Sequence, residues 1–215
     1  MVFCKKLTEI YLSFNIELCF IESVAKADNF AKVSKDIFVA LRPTIYKLKI
    51  ALTDLNRNYY DTLNLTIAQH PSETLERMMA RILAFCIHAQ ESLTFTKGLS
   101  AAEEPDLWAH TPDGRIALWI DVGEPAADRI KKATRLAQTV KVYSFNSKSG
   151  IWWIQEQAKL NKLTASIFQF PWKDIQALAK LVQRTMDISV TITGDSAYVA
   201  MESGECEVSW VPLEV

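Results

Sequence analysis

From Arg42 onward the sequence alternates short β-forming runs with segments whose apolar residues recur at helical spacing, and this alternation constrains the fold more than any single motif. Thr44, Tyr46, Leu48 and Ile50 mark a first strand, Asp54 to Asp61 is rich in turn residues, and Thr62 to Ala68 alternates again as a hairpin partner. Pro71-Ser72 opens a helix, with Ser72 as its cap, and Leu75, Met79, Ile82 and Cys86 form the buried stripe through about Gln90. Leu93 to Thr96 is a short strand. A second hairpin follows, with Asp106 to His110 and Ile116 to Val122 flanking the Pro112-Asp113-Gly114 turn. A helix with Pro125 at its first position carries the stripe Ile130, Ala133 and Ala137. Strands at 140–145 and 166–170 then alternate with helices at 151–160 and 172–184, and strands near 187–193, 197–201 and 205–211 close the chain. No internal repeat or linker interrupts this order after residue 39, so it reads as one mixed α/β domain.

Composition narrows the function. A chain of 215 residues that is 49% hydrophobic can build a core without staples. With 24 basic against 25 acidic residues it cannot coat a polyanion by bulk charge, so any such contact needs a local patch. Cys4, Cys19, Cys86 and Cys206 form no close pair, which excludes finger-type zinc sites and gives no disulfide framework. A reducing, cytoplasmic setting is the expectation. The most apolar stretch, Tyr11 to Ile21, is broken by Asn15 and Glu17 and is too short for a membrane span.

The most informative spacing is Glu104-Pro105-Asp106 followed by Asp121. If the hairpin closes with Thr111 opposite Ile116, across a loop from Pro112 to Arg115, counting outward sets Asp106 directly against Asp121. Opposed like charges are destabilising unless neutralised, and a hard divalent cation such as Mg²⁺ or Mn²⁺ neutralises them with oxygen ligands. A register shift of one residue breaks this argument, and a pair of strand-end surface aspartates is the plain alternative. On the preceding helix, 100° per residue puts Glu76 on the flank of the buried stripe, a candidate site carboxylate. Glu73 points further out, as a first-turn residue facing solvent. Arg129, Lys131, Lys132, Arg135 and Lys141 make a locally basic helix over 129–141, either solvated or in contact with phosphate. His70, His88 and His110 share no ligand spacing, and the tryptophans suit core packing.

Several strings are distinctive: His70-Pro71-Ser72-Glu73-Thr74, Glu76-Arg77-Met78-Met79, Leu93-Thr94-Phe95-Thr96-Lys97-Gly98-Leu99-Ser100, Glu104-Pro105-Asp106-Leu107-Trp108, Leu118-Trp119-Ile120 and Arg129-Ile130-Lys131-Lys132-Ala133. In order and without large gaps, from about Val39 to the C-terminus, they resemble the YaeQ family of bacterial proteins. The resemblance implies a fold related to the PD-(D/E)XK nucleases. That fold has a restriction-endonuclease-like central mixed sheet flanked by helices, here with extra N- and C-terminal strands and a metal-centred acidic site. Carried over by position, Asp106 and Asp121 are the motif aspartates, Glu76 (or Glu73) is the helix glutamate, and the carbonyl of Val122 completes the metal ligands. The motif's lysine is missing: two positions after Asp121 stands Gly123, so Lys132 or Lys131 must supply the amine from the next helix. The implied activity is Mg²⁺- or Mn²⁺-dependent phosphodiester hydrolysis on nucleic acid at a degenerate site. In such a site the metal lowers the pKa of bound water, and the lysine orients that water or offsets phosphate charge. The alternative is a non-catalytic interaction protein of transcription or nucleic-acid metabolism that keeps the nuclease fold.

Residues 1–38 stand apart, with five basic and five acidic residues and neither glycine nor proline. Lys5-Lys6 and Ala25-Lys26-Ala27 imitate a secretory leader, but Glu9 and Glu17 interrupt its apolar run. Family members begin with methionine just before a segment like Ala40 to Lys47, and GTG, which encodes valine internally, is a bacterial start codon. The expectation is an N-terminal extension over 1–38, arising from start-site choice or, as the alternative, forming a helix or helical pair docked on the domain, and a YaeQ-like domain over 39–215.

Overall fold

The computed structural model describes residues 42–101 and 103–213, and the expectations for the 1–38 segment lie outside them. Strand β1 (Thr44–Asp54) pairs antiparallel with β2 (Tyr59–Gln69) along its whole length. Asp54 fixes the turn between them: its Oδ1 accepts from the backbone N–H groups of Asn56 and Arg57 at 3.0 and 3.2 Å. Helix α1 (Leu75–Ile87) follows, capped by Thr74 rather than Ser72, whose hydroxyl instead lies 2.6 Å from His70 Nδ1. Then come β3 (Leu93–Phe95), a 3₁₀ turn at Gly98–Ser100, β4 (Leu107–His110) and β5 (Ile116–Val122). Helices α2 (Ala127–Leu136), α3 (Ser149–Leu160) and α4 (Trp172–Lys180) alternate with β6 (Ala137–Ser144) and β7 (Ala165–Gln169). Strands β8 (Thr185–Thr193), β9 (Ser196–Met201), β10 (Gly204–Ser209) and the two-residue β11 (Val211–Pro212) end the chain.

The element order matches the sequence reading, but the strands form two mixed sheets rather than one central sheet. One runs β10-β9-β8-β1-β2 and the other β11-β7-β6-β5-β4-β3. The reason lies in a long-range pairing that local patterns do not carry: β8 lies parallel to β1, from Lys47 opposite Thr185 to Asp54 opposite Ile192, and so recruits the C-terminal hairpins to the N-terminal one. In the second sheet β5, β6 and β7 run parallel, with α2 and α3 in their crossovers.

Helix α1 is the pivot. Met78 through Cys86 are all buried, and apart from Arg81 they form one cluster with Leu48, Ile50 and Leu52 of the first sheet and Leu107, Leu118, Ile120 and Val122 of the second. A helix with sheets on two sides needs more than one apolar stripe, which explains why burial extends beyond Leu75, Met79, Ile82 and Cys86. On the opposite face of the second sheet, Trp119, Val140 and Val142 pack against Ala127, Ile130 and Ala133 of α2 and Leu160 of α3. Alternation along β5 thus sends Ile120 and Val122 toward α1 and Trp119 toward α2. Among the described residues no helix is long and apolar enough to cross a membrane.

Candidate functional site

A cleft of about 460 Å³ opens where β4, β5, the N-terminus of α1 and α2 converge, and both motif aspartates line it. Their placement follows from the hairpin, though not as counted from the turn. The loop holds three residues, with Thr111 N–H bonded to Arg115 O at 2.8 Å and Gly114 at φ +85°, and Ile116 lies opposite His110 rather than Thr111. A bulge after Ala109 then absorbs one residue, so that Trp108–Trp119 and Leu107–Ile120 regain the counted register. Asp106 lies just outside the ladder: its N–H bonds Ile120 O at 3.0 Å, and its Oδ2 accepts the N–H of Val122 at 2.8 Å.

Each aspartate is held by an arginine. Arg77, in the first turn of α1, donates from one Nη to Asp106 Oδ1 at 2.8 Å and from the other to the Val122 carbonyl at 3.1 Å. Arg129 of α2 takes Asp121 in a two-point grip, Nη2 to Oδ1 at 2.8 Å and Nε to Oδ2 at 3.1 Å, and also donates to Glu104 O. The indole N–H of Trp119 reaches the same Oδ2 at 3.0 Å. Burial pushes the Asp106 carboxyl above its ordinary value, with Arg77 and the Val122 N–H pulling against it. The hydrogen bonds that Arg129 donates to Asp121 raise its already high pKa.

Of the two helix glutamates, Glu73 is not where periodicity puts it. Glu73 is buried and bound in parallel by Arg81, Oε1 to Nε at 2.7 Å and Oε2 to Nη2 at 2.9 Å, with the Arg81 guanidinium over Phe95. Because Thr74 is the cap, Glu73 precedes the helix, and an angular count from the helix stripe does not apply to it. Glu76 sits half-buried on the first turn and is not part of the cleft lining.

The basic segment at 129–141 is not one helix: α2 ends at Leu136 and Lys141 lies on β6, half-buried, its amine over Phe168 and its pKa lowered by burial. Lys132 is exposed in an ion pair with Glu103 and is not part of the cleft lining. Lys131 and Arg135 remain exposed. Gly123 adopts φ +120°, with its N–H on Tyr143 O at 2.8 Å, so the position where the nuclease motif has lysine requires a left-handed backbone.

Tested as a cation site, this donor set does not fit. Among the described residues no three acidic, histidine or cysteine side chains converge on one point. Asp106 Oδ1, both Asp121 oxygens and the Val122 carbonyl all accept from arginine. A divalent ion would have to expel two guanidinium groups from buried carboxylates. Glu124 is also committed, accepting from the N–H groups of Phe145 and Asn146 at 3.1 and 3.0 Å and from Ser149 Oγ at 2.7 Å. Thiol chemistry has no support here either, since burial pushes Cys86 up to about 12. Arg77 and Arg81, which spacing arguments about acids pass over, organise the site. Their signal in the sequence is an arginine four residues from another, with Arg81 falling inside the apolar run Met78 to Cys86 and so needing a buried acid.

The family model for the YaeQ protein matches residues 39–210. The chain belongs to the YaeQ family. Over 173 residues it is 38% identical to the uncharacterized protein YaeQ of Escherichia coli K12, covering 80% of this chain and 96% of that one. The YaeQ of Salmonella typhi is likewise 38% identical over 172 residues, covering 79% of this chain and 95% of that protein. Crystal structures of YaeQ proteins share the fold. That from Xanthomonas axonopodis pv. citri superposes with a TM-score of 0.77 at 31% identity, over 80% of this chain and 99% of that one. The Pseudomonas syringae protein gives 0.77 at 34% identity, over 80% and 97%. These matches establish the family and a fold of two mixed sheets with flanking helices.

Proposed function

We propose that this YaeQ-family chain is a non-catalytic interaction protein of nucleic-acid metabolism, built on a nuclease-like fold whose acidic site serves as an internal clasp. One observation carries the reading: Arg77 and Arg129 satisfy Asp106, Asp121 and the Val122 carbonyl, the three groups a nuclease of this kind would offer to Mg²⁺ or Mn²⁺. The glycine conformation at 123 and the Lys132–Glu103 ion pair support it, because neither position puts an amine in the cleft lining. With Lys132 engaged by Glu103, contact with nucleic acid then falls to the exposed Lys131 and Arg135 of α2, two phosphate contacts. Such binding is weak and loses affinity with salt at a log–log slope of about −1.4 to −1.8.

Calorimetric titration with Mg²⁺ and Mn²⁺, comparing the native protein with Asp106→Ala plus Asp121→Ala, tests the reading together with cleavage assays on single- and double-stranded substrates. The expected result is no cation binding that depends on the two aspartates and no cleavage. Aspartate-dependent binding accompanied by cleavage would restore the metal-dependent phosphodiesterase. Fluorescence anisotropy with a labelled oligonucleotide should give the shallow salt slope, and Lys131→Glu plus Arg135→Glu should abolish the binding; unchanged binding in that variant would refute the assigned contact.

A further inference from the structure

Four strands form the sheet edges among the described residues, and three of them are blunted. Strand β3 spans three residues, β11 two with Pro212 as the second, and β10 starts at Gly204 and carries Glu205 and Glu207. Strand β2 is the least protected: it runs eleven residues with no proline, no lysine, one charged residue (Asp61) and no break in its register against β1. A long, regular, unprotected edge is a template for another strand.

The direction of its free main-chain groups follows from β1. The N–H of Lys47 bonds Arg184 O at 2.9 Å and that of Leu55 bonds Ile192 O at 3.0 Å, so odd-numbered residues of β1 are directed at the β8 side and even-numbered ones at β2. Leu48, Ile50 and Leu52 lie opposite Leu65, Leu63 and Asp61, which commits the odd residues of β2 to β1. Tyr60, Thr62, Asn64, Thr66 and Ala68 therefore turn their N–H and C=O groups outward, and all five side chains are exposed on the outer face.

We propose that β2 pairs antiparallel with β2 of a second copy of this chain, in register about Asn64, to make one sheet continuous across the two copies. Around its centre, from Thr62 to Thr66, the strand is self-complementary in that register. Asn64 meets its own counterpart, Thr62 meets Thr66 and Tyr60 meets Ala68, each pair exchanging two main-chain hydrogen bonds. On the inner face Leu63 meets Leu65; both are half-buried at the rim of the core and become covered. A shift of one residue would set these leucines against the polar face, so the register is specified. No like charges meet across the axis, and the one mismatched contact sets Asp61 opposite Ile67 of the second copy. Asp61 is the one charged residue of β2, and the two copies of it would lie six positions apart, about 20 Å by strand rise. The lysines at 47 and 49 lie a strand back on each side, about 14 Å across the axis and beyond the screening length at physiological salt.

Sedimentation equilibrium of the full chain over a concentration series should show conversion from 24.4 kDa to twice that mass. Thr62→Lys plus Thr66→Lys sets like charges against each other at both symmetric contacts and should weaken association at least tenfold. Thr62→Lys plus Thr66→Glu sets opposite charges there instead and should restore it. Both pairs lie on the exposed face, and circular dichroism confirms that each variant is folded. A native chain that stays monomeric to millimolar concentration, a lysine pair that leaves the dimer intact, or a charge-swapped variant as weak as the lysine pair overturns the proposal. Hydrogen exchange adds an independent readout. The outward amides of β2 should gain protection as concentration rises, whereas equal protection in the dilute monomer would mean that the chain's own residues cover the edge and the proposal fails.

Discussion

Arg77 ties Asp106 to the backbone of β5, one Nη at 2.8 Å from the carboxylate and the other at 3.1 Å from the carbonyl of Val122, while the N–H of Val122 returns to the same carboxylate at 2.8 Å. This closed loop joins α1, the segment before β4 and the end of β5 at the bottom of the cleft. Cutting it strands a buried carboxyl that is already costly to ionise. Arg77→Met should lower unfolding free energy by about 3 kcal/mol in urea titrations, the lower end for breaking a buried pair, because 19% of the Arg77 side chain remains exposed. Adding Asp106→Asn should recover at least about 1 kcal/mol of that loss by removing the unpaired charge. An Arg77→Met variant within about 0.5 kcal/mol of the native protein would mean that the clasp contributes nothing.

The Glu73–Arg81 pair is more deeply enclosed, with side-chain exposures of 3% and 5%. Two parallel hydrogen bonds fix the guanidinium plane over Phe95, so neither partner can relax into water. Arg81→Met leaves the Glu73 carboxylate without its counter-charge and should cost about 4 kcal/mol. For a domain of this size that corresponds to a fall in Tm of about 10 °C, measurable by calorimetry. Glu76→Gln, on the same first turn but half-buried and outside the cleft lining, should change Tm by no more than about 2 °C.

Particular residues show what a sequence can disclose here. Strand β1 and helix α1 are legible because burial on one face writes a period of two or 3.6 into the chain, and the β4–β5 hairpin brings Asp106 and Asp121 to one cleft by simple counting. The turn closes one residue away from the counted position, and the bulge after Ala109 cancels the error before it reaches the site. Glu73 is misplaced by the same kind of counting, since the helix starts two residues later than Ser72 and Pro71 suggest. The β1–β8 pairing, which divides the strands into two sheets, joins segments more than a hundred residues apart and leaves no local mark. The partners of the arginine clasps are hidden for a related reason: Arg77 and Arg129 meet their acids only once three separate elements are packed.

Gly123 tests whether a nuclease-like amine can be restored. Nothing lies within 4 Å of a Cβ built at this position, so the obstacle is the backbone at φ +120° and not crowding. Gly123→Ala and Gly123→Lys should therefore lose similar stability, of order 1–3 kcal/mol, by chemical denaturation. Neither should gain cleavage activity with Mg²⁺, because Asp106 and Asp121 stay committed to their arginines. A lysine variant markedly less stable than the alanine one would point to a clash of the longer side chain instead.

Acid sensitivity should come from His88. At the C-terminal end of α1 its Nε2 lies 2.7 Å from the Tyr143 hydroxyl, and burial, followed by the charges of Lys141 and Arg57, lowers its pKa to about 3. The unfolded chain regains an ordinary value near 6.5 and so binds the proton that the folded state refuses. Between about pH 6.5 and 3 the unfolded state holds more protons, so this contribution to stability is full above the window and disappears as pH falls through it. A shift of this size corresponds to about 4–5 kcal/mol across the window, an upper figure for a group that retains some solvent contact. His88→Gln keeps a hydrogen-bonding group beside Tyr143 and removes the titration. Its unfolding free energy, followed by urea titration from pH 7 to pH 4, should fall much less steeply than that of the native chain. Parallel slopes for the two proteins would assign the acid sensitivity to other groups.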